Sequence, residues 1–299
     1  MTRSRLQQGS LWLAILAVVP YVILKLLWLG GSTVGLRKGA GAAEMGSDRM
    51  VAGNIITVLL VVLAGVLAFG LTRPWGRQAP AWLVLVLAVG AAGLLAPILL
   101  GLPLGVALQL VVQHDVTSGG EGDLAGWVFA VVYGGFGLLA VALAILLRRY
   151  VLDRWGRLFA APPRPPVRWA AVAGALGMLP FGAAMLYWGL AGPGTTGPQG
   201  MESLAQRTVL AVTGILAVVG FIAPFASRVS PSWPQLGWLA TWVGCASTAI
   251  QGPTQLLLAQ EGRVQPAIAL IALLASPGGC AYGLAVLNAR RHDVGARSA

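Results

Sequence analysis

Long apolar runs separated by short polar stretches make up most of the chain. Eight can be marked, at 11–29, 51–71, 81–108, 124–147, 169–190, 208–226, 236–258 and 264–287. Each is close to the roughly 20 residues that a helix needs to cross bilayer hydrocarbon. The runs are continuously apolar and rich in Leu, Ala and Val, whereas barrel strands would alternate over about ten residues. The pattern predicts an all-α integral membrane protein with eight transmembrane helices. The first run follows Arg3 and Arg5, as in a signal peptide. It is too long for such a segment and passes into Gly30–Gly31 without a small-residue cleavage site, so it is expected to be a retained span.

Composition agrees with lipid as the principal solvent. Of the 299 residues, 57% are hydrophobic and 10% charged, against about 25% charged in soluble domains. That leaves too little polar surface for a water-facing exterior. The net charge of +11 is no sign of a nucleic-acid partner, because the cations sit in alternate loops. Arg3, Arg5, Arg73, Arg77, Arg228, Arg290 and Arg291 fall on one side of an eight-span arrangement, with the six arginines of 148–168. The opposite loops are mixed or acidic, as with Asp115, Glu121 and Asp123. Cytoplasmic loops carry the excess of Lys and Arg, so both termini are expected in the cytoplasm and the protein in the cell membrane. Trp28, Trp75, Trp82, Trp127, Trp169, Trp188 and Trp233 lie near run ends, the depth that amphipathic indoles prefer.

The segment 148–168 is the one evident linker, since Pro162–Pro163 and Pro165–Pro166 exclude a continuous helix there. It divides the chain into four-helix membrane repeats at 1–147 and 169–299. Pro20, Tyr21 and Trp28 correspond to Pro180, Phe181 and Trp188 at a shift of 160, and Glu44 and Arg49 to Glu202 and Arg207 at 158. Arg77, Pro80, Trp82, Gly93, Gly101 and Gln109 correspond to Arg228, Pro231, Trp233, Gly244, Gly252 and Gln260 at 151, and Gly135 to Gly278 at 143. The expected result is a 4+4 parallel internal repeat, whose halves share an orientation because each has an even number of spans.

Several residues are candidates for chemistry. Lys25 lies inside the first span, where a charge costs about 2.5–3.5 kcal/mol on insertion scales. It can snorkel to the headgroups, or serve as an anion-binding or partner-facing group paired with Glu44 or Asp48; the second copy has Met185 at this place. Glu44 with Arg49, and Glu202 with Arg207, form two outer charge clusters. Thr241, Gly244, Thr248, Gln251 and Gln255 share one face of the seventh span, which also carries Pro253. Such a stripe can line a pathway or hold helices together.

Other chemistry is weakly supported. His114 and His292 lie in loops on opposite sides, which excludes a bis-histidine haem site within the spans. No metal site, cofactor or catalytic residue is expected, and no protease, P-loop or hydrolase motif occurs. Cys245 and Cys280 lie in apolar runs and are expected to be packing residues.

The first helix, with its Pro20–Gly35 stretch PYVILKLLWLGGSTVG followed by Leu36, resembles one found in uncharacterised multi-pass membrane proteins of high-GC Gram-positive (actinobacterial) bacteria. That resemblance implies a polytopic membrane fold and carries no reaction with it. The leading functional expectation is a permease for a small molecule or lipid, with its site between the halves. The alternative is a non-catalytic membrane subunit or regulator that works through a membrane or cytoplasmic protein partner.

Overall fold

A computed structural model of the chain describes residues 3–36, 48–114, 124–229, 233–257 and 265–296. Among them, eight long α-helices account for nearly all regular structure: α1 (Arg3–Leu29), α2 (Asp48–Thr72), α3 (Ala81–Gln113), α4 (Gly126–Phe159), α5 (Arg168–Ala191), α6 (Leu204–Val229), α7 (Pro234–Leu257) and α8 (Pro266–Ala296). A 3-10 turn, Pro74–Arg77, joins α2 to α3. Each apolar run forms the body of one helix. Seven helices, all but α7, are long and apolar enough to cross a membrane. The α7 helix has 24 residues, but its Thr, Ser and Gln residues dilute its apolar character. The protein is therefore helical and of a multi-pass membrane type.

Helix α4 runs beyond its apolar run to Phe159, with non-helical backbone at Trp155 (φ −130, ψ 24). The proline-rich stretch lies between α4 and α5, where it docks on α7. Trp238 Nε1 donates to the Ala161 carbonyl at 2.8 Å, and the Trp238 ring meets Phe159 edge-on at 5.0 Å.

The chain forms two compact units: Met1–Ala91 with Thr117–Tyr150, and Ala92–Val116 with Val151–Ala299. In the first, α1 crosses α4 where a Cβ on Gly135 would come within 2.5 Å of the Ala17 carbonyl oxygen. Tyr21 stacks obliquely on Phe136 at 4.8 Å, and Leu24, Trp28 and Val128 form a buried cluster. Gly35 (φ +85) turns the chain against Val128, where a side chain would clash, and its carbonyl accepts from the Ala125 amide at 2.8 Å.

In the second unit, α5 crosses α8 where Gly177 and Gly278 meet; a Cβ on Gly177 would lie 2.9 Å from the Gly278 Cα. Phe181, Met185, Trp188, Leu210, Ala217, Ile268 and Ala275 form one core. Met178, Trp238, Cys245, Tyr282 and Val286 form another. Two close helix approaches of this kind allow backbones to meet without a hydrophobic driving force, which lipid does not supply.

Candidate functional site

The polar stripe of α7 is built into helix contacts. Thr241 and Thr248 are buried, and their hydroxyls donate at 2.8 Å to the Gly237 and Gly244 carbonyls of the same helix. Gly244 abuts Gly220 of α6, and Gly279 of α8 abuts Thr248. Gln251 reaches out of α7, its Nε2 donating to the Gly93 carbonyl at 3.1 Å.

That acceptor has a cause. The Gly93 carbonyl would ordinarily receive the amide of residue 97, but Pro97 has none. The same repair recurs one helix further on. Pro253 in α7 frees the Ala249 carbonyl, and Ser276 Oγ of α8 donates to it at 2.7 Å. An unpaired carbonyl at membrane depth costs several kcal/mol, so these side chains hold the proline-broken helices intact. Gln255 is half-buried near the end of α7. Ser247 is buried with no partner for its hydroxyl among the described residues.

Of the outer charges, Glu202 and Arg207 each bond to backbone. Arg207 Nε donates to the Gly189 carbonyl at 3.1 Å, and its guanidinium also reaches the Leu190 carbonyl. It thus caps the last turn of α5, where a cation complements the helix dipole. Glu202 instead accepts from the Gly200 amide at 3.2 Å. Glu44 and the Arg49 side chain lie outside the described residues.

Lys25 has a partner that the charge pattern does not suggest. Its Nζ donates to Asn54 Oδ1 of α2 at 2.7 Å. The ammonium also lies 4.7 Å from the Trp28 ring centroid and 5.5 Å from that of Tyr21. Cation–π contacts of this kind contribute about 0.5–2 kcal/mol each. Among the described residues, Lys25 makes no ion pair, with Asp48 or any other carboxylate. Asn54 is buried at 2% exposure. Sequence reasoning missed it, although it is a lone amide in an otherwise apolar stretch and could have been matched to the lone cation.

Below this bond, a groove runs between α1 and α2. Ile15, Val18, Val19, Val22 and Ile23 of α1 face Val61, Val62 and Gly65 of α2 across an apolar cleft of about 280 Å³. A second, wider hollow of about 530 Å³ adjoins it at Ile15, with a mixed lining of Gln7, Gln8, Leu11, Trp12 and Ile15 with Phe69, Thr72 and Arg73. In the second unit, α5 and α6 are in close contact. Gly182 stands where a shift of 160 places Val22, and a Cβ on it would lie 2.8 Å from Val218 Cγ2 of α6. Gly214 of α6 approaches the Gly182 carbonyl in turn. Met185, at the position of Lys25, is buried in the apolar core. Small residues bring α5 close to α6, whereas valines and isoleucines line the groove between α1 and α2.

No protein-family model, curated protein or solved structure matches the chain. The candidate site is therefore defined by its own geometry: an apolar groove between α1 and α2, with the Lys25–Asn54 bond further along the same two helices. Among the described residues, no three His, Cys, Asp or Glu side chains come together.

Proposed function

We propose that the protein is a non-enzymatic lipid or amphipath permease that takes a membrane-borne molecule into the cleft between α1 and α2. The observation that carries this is the open, apolar α1–α2 cleft, in contrast to the glycine-packed α5–α6 pair. A small polar solute would need a polar lining, and Thr241, Thr248 and Gln251 of α7 are already bonded to helix carbonyls. An apolar slot at membrane depth suits a hydrocarbon chain.

The wider frame is part of the proposal: eight spans, α7 included, in two related halves in the cell membrane, with both termini cytoplasmic. The positive-inside distribution supports the orientation. The repeat is supported by pairs of positions matched at different shifts. Ala17 and Gly135 meet in the first unit, and their counterparts Gly177 and Gly278 meet in the second. Trp28 Nε1 donates to the Val34 carbonyl after α1, and Trp188 Nε1 to Thr196 Oγ1 after α5.

Reconstituted full-length protein should speed exchange of a fluorescent phospholipid between vesicle leaflets. Val19→Trp, which places an indole in the cleft, should remove most of that activity. Equal exchange with the variant would overturn the reading. A second reading, a subunit or regulator acting through a partner, is favoured by the half-exposed Lys25 ammonium, whose contacts are a neutral amide and two rings. It predicts a co-purifying protein that is lost on Lys25→Met.

A further inference from the structure

We infer that the cleft between α1 and α2 takes an anionic phospholipid, its phosphate held at the wider mouth by Arg73, Gln7 and Gln8 and one acyl chain laid along the apolar stretch. This rests on the lipid reading of the same cleft and adds the headgroup class and the direction of entry.

The cleft has two unlike ends. Beyond one, the Lys25–Asn54 bond ties α1 to α2. At the other, Arg73 is the one charged residue in the lining, and no carboxylate accompanies it. The guanidinium lies 4.5 Å from the Phe69 ring centroid, which holds it beside the mouth. Among the described residues it makes no ion pair. A guanidinium binds phosphate oxygens in a bidentate fork, and two carboxamides supply further donors. Arg5, one turn before Gln8 on α1, is exposed and adds positive potential. Trp12 and Trp75, 61% and 50% exposed, lie at the same end, as expected at headgroup depth.

The dimensions agree with one chain of one leaflet. Leu11 to Ile23 is twelve helical steps, about 18 Å, and one leaflet of hydrocarbon is about 15 Å deep, half of the usual thickness. A tail entering at Arg73 would therefore end near the Lys25–Asn54 bond. The mouth lies at the arginine-rich end of the helices, so entry would be from the leaflet on that side.

The test is lipid retention by the purified full-length protein, measured by native mass spectrometry from micelles doped with phosphatidylglycerol and phosphatidylcholine. Wild type should retain phosphatidylglycerol about tenfold over phosphatidylcholine, the scale of one charge-assisted contact. Arg73→Gln, a change at an exposed side chain, should erase the preference by lowering retained phosphatidylglycerol to the level of phosphatidylcholine, which stays unchanged, and Arg73→Lys should keep part of it. Val19→Trp should lower both lipids together. If wild type shows no preference while Val19→Trp still lowers retention, the headgroup assignment fails and the lipid cleft stands. If Val19→Trp leaves retention unchanged in a monodisperse protein, the cleft itself is not the site and both fall.

Discussion

Two kinds of residue pair carry the structural chemistry of this protein, and each makes a separate prediction. Lys25 and Asn54 satisfy one another inside apolar helices. Lys25→Met leaves the buried Asn54 amide short of a partner, which should lower stability by about 1–2 kcal/mol. Adding Asn54→Leu should recover most of that loss, because two apolar side chains then meet. Thermal unfolding of the two single variants and the double variant in detergent checks this; additive losses would show that the bond does not couple the sites. Gln251 and Pro97 form the other kind of pair. Gln251→Leu should cost about 1–2 kcal/mol by stranding the Gly93 carbonyl. In a Pro97→Ala background the backbone amide returns, and the same substitution should then cost close to nothing. An undiminished cost there would mean that Gln251 does something other than repair the helix.

At the scale of helices, valines and isoleucines line the groove between α1 and α2. Val22→Gly reproduces the residue found at Gly182 and should let the two helices approach, narrowing the cleft. The lost side chain removes about 1 kcal/mol of apolar contact, about fivefold in retained lipid by native mass spectrometry. Retention equal to wild type would separate cleft width from lipid binding. Most helices were legible as apolar runs because hydrocarbon imposes both a length and a composition. Their ends were less so. Helix α4 continues through Arg148–Phe159, since hydropathy falls at the water boundary while Arg, Leu and Tyr can still continue a helix. The α7 stripe was legible as one face from its helical spacing. Its acceptor, Gly93, was not, because periodicity gives a direction from the axis and says nothing of the helix that stands there. The cleft was invisible for a related reason: it depends on how closely two helices approach, and both contribute ordinary valines.

For the molecule as a whole, topology is the property most open to a decisive measurement. Eight alternating spans with the basic loops inside require a reporter after Ala299 to read cytoplasmic, and one inserted near Ser118 to read external. A split result would mean that one helix lies along the membrane or folds against others without crossing. Helix α7 is the place to look first, since its apolar character is diluted by the residues that bind it to α3, α6 and α8. The α5 crossings and the α1–α2 cleft also predict unequal robustness. Bulky substitutions at Gly177 or Gly182 meet backbone or side chain within 3 Å and should cost about 1–3 kcal/mol each, whereas Gly65, in the cleft, has open space before it. Unfolding midpoints of Gly182→Val and Gly65→Val should therefore differ, with Gly65→Val near wild type.

The proline repairs also bear on heredity. A carbonyl freed by Pro97 in one helix is served by Gln251 in another, and that freed by Pro253 by Ser276. Neither member of such a pair can drift alone without penalty. Once relatives of this chain are aligned, glutamine at 251 should be kept where proline is kept at 97 and released where proline is lost, and Ser276 should follow Pro253 in the same way. Those two linked columns would trace the α3–α7–α8 arrangement through lineages whose remaining positions had exchanged one apolar residue for another.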